Sequence, residues 1–233
     1  MHIQLNNLKK CFGEHVAVDI PHFTIDNGQV VGLVGNNGAG KTTLFRLMLD
    51  LAKATEGNVL LGDIDPANSE DWKLLTGAFI DNSFLIDFLT AEEYFEFVGK
   101  VSGMTKEQVE ERLKTFETFM GDEIIGKKKY IRDFSAGNKQ KIGIVAALLN
   151  SPQLVILDEP FNFLDPSSQN QLKRILTEFN RSTGATVMVS SHNLQHTVEI
   201  STRVALLENG KIIEDIDNSD GKAEEILDKY FNV

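Results

Sequence analysis

Apolar and polar residues alternate through IQLNNL at 3–8 and through VAVDIPHFTI at 16–25, the period of two expected of strands with one buried face. The turn signal Asp26-Asn27-Gly28 follows, and then an unbroken apolar run, Val30 to Val34, reads as a fully buried strand. That run ends in glycines, and a helix is predicted from 41 to about 51. GNVLLG at 57–62 and LLTGAFI at 74–80 predict two more short strands.

From position 90 the period lengthens to that of a helix. Thr90-Ala91-Glu92-Glu93 and Thr105-Lys106-Glu107-Gln108 both have the capping-box spacing, each opening a charged amphipathic helix. Residues 84–150 therefore read as a helical insert. Beyond it, PQLVILDEP at 152–160 is a buried strand and 166–180 a helix. ATVMVSS at 185–191 is a second buried strand, and RVALLENGKII at 203–213 a hairpin turning at Asn209-Gly210. Apolar strands alternating with helices predict an α/β fold, a mainly parallel sheet covered on both faces with an antiparallel β portion at its start. The expected organisation is one domain over 1–233, with 1–83 and 151–233 forming the core and 84–150 a helical subdomain.

Composition narrows the classes. At 233 residues with 42% hydrophobic side chains, the chain can bury a full core. A formal charge of −11 argues against a nucleic acid partner, which needs a concentrated basic surface. Lys127-Lys128-Lys129 is the single basic triplet and reads as a solvated loop. The one cysteine, Cys11, excludes an internal disulfide, and neither an export signal nor an apolar stretch of membrane-spanning length occurs, so a cytoplasmic location is expected.

The chemistry starts at GNNGAGKTT, positions 35–43, which has the P-loop pattern in its proper setting between an apolar strand and a helix. In this pattern the backbone N–H groups of Gly35, Asn36, Asn37, Gly38, Ala39 and Gly40 cradle phosphates. Lys41 reaches the β/γ oxygens, Thr42 ligates Mg²⁺, and Thr43 completes the loop. Carboxylates must then hold the metal and handle the attacking water, and LVILDEP supplies both. Asp158 at the strand end suits the metal, and Glu159 beside it is left free as general base. A second anion site is suggested by DFSAGNKQK at 133–141, where Ser135 and Gly137 stand at the start of an apolar helix with free N–H groups and the positive dipole end.

Taken together, these ordered motifs resemble those of an ATP-binding cassette (ABC) ATPase subunit, over nearly the whole chain. DFSAGN is similar to that family's signature sequence, with Phe134, Ala136 and Asn138 in place of commoner residues. Phe161-Asn162-Phe163-Leu164-Asp165 resembles its D-loop, which brings Asp165 to the nucleotide site. His192 resembles the switch histidine that contacts the γ-phosphate, and Phe12 the aromatic that stacks on adenine. Asp81 stands where the family has a glutamine that touches Mg²⁺ and water; a carboxylate there either ligates the metal or stays turned away until the metal is bound.

The resemblance implies ATP and Mg²⁺ as cofactors and a head-to-tail dimer of two ABC ATPase subunits, identical or not. In that dimer Ser135 and Gly137 of one chain face the ATP held by the other. It also implies a separately encoded membrane permease as partner, a peripheral location on the cytoplasmic face of the membrane, and, from residues 77–103, export rather than import. The alternative is a soluble ABC ATPase that acts as an assembly or mechanical factor without a permease.

Three features remain outside that scheme. His192 and His196 lie four apart but lack the glutamate of a zinc helix. EDIDNSDG at 214–221 has calcium-loop residues without the turn glycine at the required place, and reads as a solvated loop. The aromatics Phe84, Phe88, Tyr94, Phe95 and Phe97 read as core, some of them lining a groove for a partner helix.

Overall fold

The computed structural model describes residues 1–192, 194–221, 223 and 225–227. Strands β1 (Ile3–Phe12), β2 (His15–Ile25) and β4 (Glu56–Leu61) form an antiparallel sheet in the order β2-β1-β4. A second sheet of six strands adds β3 (Val30–Val34), β5 (Thr76–Phe79), β6 (Leu154–Leu157), β7 (Thr186–Ser191), β8 (Arg203–Glu208) and β9 (Lys211–Asp217), in the order β5-β6-β7-β3-β8-β9. All its pairings are parallel except β8 with β9. The expected α/β architecture is thus the observed one.

The period-two pattern explains how the layers are filled. On β1 and β2, Ile3, Leu5 and Leu8 stand opposite Ile25, Phe23 and Ile20, and all six are buried. They pack onto helix α1 (Lys41–Met48) through Leu44, Phe45 and Met48, whose other neighbours are Leu33, Ile156 and Met188 of the parallel sheet. Successive side chains of a strand point to opposite faces. Val155, Leu157, Val187 and Val189 accordingly enter a second core together with the remaining helices.

Those helices are α2 (Ala91–Val101), α3 (Lys106–Lys114), α4 (Glu117–Met120), α5 (Ala136–Leu148) and α6 (Pro166–Thr183), followed by the short α7 (Leu194–Val198). Both expected capping boxes exist: the Thr90 and Thr105 hydroxyls accept from the amides of Glu93 and Gln108, whose side chains accept in return. Phe95, Val109, Phe116, Phe119 and Ile131 join Val155 and Leu172 in one continuous core, so the helical segment is packed into the sheet's own hydrophobic layer. Helix α5 is apolar nearly all round and buried from Ile142 to Leu148. It lies so close to β5 that a Cβ on Gly77 would stand 1.8 Å from the Ala147 carbonyl oxygen. Gly77→Ala must therefore push α5 off the sheet. We expect a cost of about 1–3 kcal/mol, read as a fall of roughly 3–10 °C in melting temperature.

Two expectations are corrected. The acidic stretch from Glu214 is not a solvated loop, since Glu214 to Asp217 belong to β9, where Arg203 donates to both oxygens of Asp215 at 2.7 and 2.6 Å. The carboxylate of Asp215 is thus taken by Arg203, and that of Asp217 accepts the Ser219 amide at 2.8 Å. Of the aromatic cluster only Phe95 is fully buried; Phe84, Phe88 and Phe97 are 47, 69 and 48% exposed.

Candidate functional site

The glycine loop starts where β3 ends, at the same edge of the sheet as the ends of β6 and β7. Close approach fixes its glycines. A Cβ on Gly35 would lie 2.2 Å from the Leu207 carbonyl and one on Gly40 2.4 Å from that of Ala17, and Gly40 has φ +109°. The Ala39 carbonyl is held by the Gly210 amide at 2.9 Å, so the β8–β9 turn braces the loop. Helix α1 opens on Gly40 with no side-chain cap and no acid in its first turn. Its first N–H groups are therefore free for an anion.

Lys41 is 6% exposed. Its ammonium donates to the carbonyls of Gly35 at 2.6 Å and Asn36 at 3.3 Å and lies 3.4 Å from Glu159 Oε1. The Thr42 hydroxyl donates to Asp158 Oδ2, and the Ser190 hydroxyl to Oδ1. Burial pushes the Asp158 carboxyl above the usual range, against the pull of Ser190 and Thr42. A buried carboxylate beside a hydroxyl is an all-oxygen donor set suited to a hard divalent cation.

Glu159 has a left-handed backbone, φ +48°, which is costly for a non-glycine residue. Two bonds hold it there: its amide donates to Ser190 Oγ at 2.8 Å and its carbonyl accepts from Gln140 Nε2 at 3.2 Å. The result is a carboxylate between Lys41 and His192, with His192 Nδ1 2.8 Å and its amide 3.2 Å from Oε2. Ser190, Gln140 and the brace at Gly210 were not singled out from the sequence. The serine pair ending an otherwise apolar strand was the available signal for Ser190, since in a parallel sheet that end adjoins the end of LVILDEP.

Other candidates gather apart from this cluster. The Ser135 hydroxyl caps its own helix, accepting the Asn138 amide at 3.2 Å. A Cβ on Gly137 would stand 2.6 Å from the Phe163 carbonyl oxygen, so the start of α5 abuts the loop 161–165. Asp165 caps α6, accepting the Ser168 amide at 3.0 Å and hydroxyl at 2.5 Å, and Ser168 holds its carboxyl below the usual range. Phe12 is 56% exposed at the tip of the β1–β2 hairpin, under the Lys10 ammonium at 4.9 Å. Ala17 of the same hairpin is the residue that meets Gly40.

Asp81, two residues past β5, is engaged elsewhere: Oδ1 accepts the Ser83 amide at 2.8 Å and the Ser83 hydroxyl, and Oδ2 lies 3.4 Å from Arg46. Partial burial would raise its carboxyl, but Ser83 and Arg46 outweigh this and hold it below the usual range. Asp81 thus faces Arg46 of α1 and its own loop. His196 packs its ring 5.3 Å from that of Phe161 and is not joined to His192. Among the described residues no group of three or more His, Cys, Asp or Glu is arranged to hold a metal, and no helix is long and apolar enough to cross a membrane.

Residues 18–162 match the family model described as ABC transporter. The bacitracin transport ATP-binding protein BcrA of Enterococcus faecalis is 33% identical, over 94% of this chain and 70% of that protein. The methionine import ATP-binding protein MetN 2 of Oceanobacillus iheyensis is 32% identical, over 91% of this chain and 65% of its own length. The solved dimeric structure of a bacterial ABC transporter cassette aligns with a TM-score of 0.81 at 25% identity, covering 92% of this chain and 98% of that one.

Proposed function

We propose, from the premise that this chain belongs to the ABC transporter family and is an ATP-binding, ATP-hydrolysing subunit of it, that it closes with a second cassette around two ATP molecules and so drives a separately encoded membrane permease. The observation that carries the reading is the convergence of Lys41, Thr42, Asp158, Glu159 and His192 at one edge of the parallel sheet.

The side chains of the site are held by internal partners that ATP would replace. Phosphates entering the glycine loop meet the free amides of α1 and draw the Lys41 ammonium from the Gly35 and Asn36 carbonyls. That movement also frees Glu159 Oε1, while His192 stays at Oε2 and orients the carboxylate. Glu159 then accepts a proton from the water that attacks the γ-phosphorus. Thr42 and Asp158 would hold Mg²⁺, which when bound neutralises charge on the β- and γ-phosphate oxygens. Asp81 would join them only by giving up Arg46. The exposed Phe12 ring is available to stack on the adenine.

A permease is favoured by the apolar surface beside α2, where Leu74, Phe84, Phe97 and Val101 are exposed. Phe84, Phe97 and Val101, with Tyr94, Ala146 and Ala147, line a groove fit for one apolar helix of the partner. Transport is taken to run outward, in line with residues 77–103, although the methionine relative is named for import.

The dimer is tested through Ser135, whose helix start would receive the partner's γ-phosphate. Ser135→Arg is expected to bind ATP like the parent chain yet stay monomeric with ATP, by light scattering of chains that also carry Glu159→Gln. Dimers of the double variant at parent strength would reject the interfacial role of DFSAGN.

A further inference from the structure

Gln140 is a polar side chain in an apolar place. It is 4% exposed, one turn ahead of the stretch of α5 that is buried from Ile142 to Leu148. A buried carboxamide costs free energy unless it is hydrogen-bonded. Its Nε2 donates to the Glu159 carbonyl oxygen at 3.2 Å. That oxygen also accepts the Asn162 amide at 3.1 Å, which closes the turn within the loop itself. The carbonyl therefore has a donor without Gln140, and what Gln140 adds is a tie from the turn to another element.

That tie is fixed at both ends. Three residues along α5, a Cβ on Gly143 would stand 2.1 Å from the Phe79 ring, so the helix is seated hard against the end of β5. The Phe79 carbonyl in turn accepts the Asp158 amide at 2.9 Å, which sets β6 against β5 beside the turn. From the sheet side, Ser190 of β7 accepts the Glu159 amide at 2.8 Å. Glu159 is thus gripped at its amide by β7 and at its carbonyl by α5, in a left-handed conformation, φ +48°, that a non-glycine residue keeps only while its surroundings impose it. Release at the carbonyl lets the backbone rotate and swings the carboxylate from its place between Lys41 and His192. We infer that Gln140 is a positioning residue for hydrolysis, fixing through the Glu159 backbone the direction of the carboxylate that takes the proton from water. The inference rests on the reading of Glu159 as general base given above. Lys41, Thr42 and Asp158 are held by other partners, so the effect falls on turnover and not on nucleotide capture.

The test uses the full chain with Gln140→Met, which keeps the length of the side chain and removes its donor, and Gln140→Leu as a second donor-free replacement. Each is made alone and together with Glu159→Gln. Steady-state and single-turnover hydrolysis, fluorescent-nucleotide titration and thermal melting are measured on all of them. Both single variants are expected to lower kcat about 10-fold, the effect of a misplaced base, with KM, ATP affinity and melting temperature close to parental. In the Glu159→Gln background the same changes should lower the residual rate no further, because there is no base left to misplace. Parental kcat in both single variants would overturn the inference. A rate loss repeated in full in the Glu159→Gln background, a matching loss of ATP affinity, or a collapse in melting temperature in both would also overturn it, by giving Gln140 a structural or binding role. Near-parental hydrolysis by Glu159→Gln alone would sink the general-base reading itself, and this inference with it.

Discussion

Glu159→Gln is expected to bind ATP normally and to turn it over roughly 10²–10⁴ times more slowly, the usual contribution of a general base. The amide keeps the size of the side chain and can still take the His192 ring as a partner, so the φ +48° turn and its bonds to Ser190 and Gln140 survive. What is lost is the carboxylate oxygen at 3.4 Å from Lys41, the one freed when phosphate takes the lysine. Single-turnover rates with ATP affinity measured in parallel decide it. Near-parental hydrolysis would assign the base elsewhere, and a large fall in affinity would make Glu159 a binding residue. His192→Ala, by contrast, should leave affinity unchanged and slow turnover less, because it orients a base it does not replace.

Much of this was legible because the relevant signals are local. Period-two alternation, unbroken apolar runs and two capping boxes require nothing beyond a few neighbours, and β3, β6, α2 and α3 follow from them. The glycine loop and LVILDEP likewise carry their chemistry in adjacent residues. Ser190, Gln140 and Arg46 were not legible, because only the strand order β6-β7 and the docking of α5 and β5 bring them to Asp158, Glu159 and Asp81. The second half of strand β9, from Glu214, was misread for a related reason. Its polar residues face an edge where Arg203 pairs with Asp215, and charge hid the alternation. The aromatics at 84–97 followed hydrophobicity into an expected core, but only Phe95 is fully buried, Tyr94 packs partly buried against it, and Phe84 and Phe97 stay on the surface as the wall of a groove.

Lys41→Met is expected to weaken ATP binding by roughly 10- to 100-fold, the worth of one lost charge-assisted contact to phosphate. In the P-loop pattern the charge of this lysine serves the ligand. The structure adds a second role: nearly buried, the ammonium satisfies the Gly35 and Asn36 carbonyls and stands against Glu159. Its loss leaves two carbonyls short of a donor and Glu159 facing His192 alone. Those carbonyls line the open phosphate cradle, where water can replace the ammonium, so the melting temperature should move by no more than a few degrees. Methionine keeps the apolar stem, which isolates the charge. Nucleotide titration and thermal melting of the same sample test both roles together. Parental affinity would remove Lys41 from the phosphate site, and a collapse in melting temperature would mean that the lysine holds the loop itself. ATP should also raise the melting temperature of the parent far more than that of Lys41→Met, because ligand stabilisation grows with the ratio of concentration to dissociation constant.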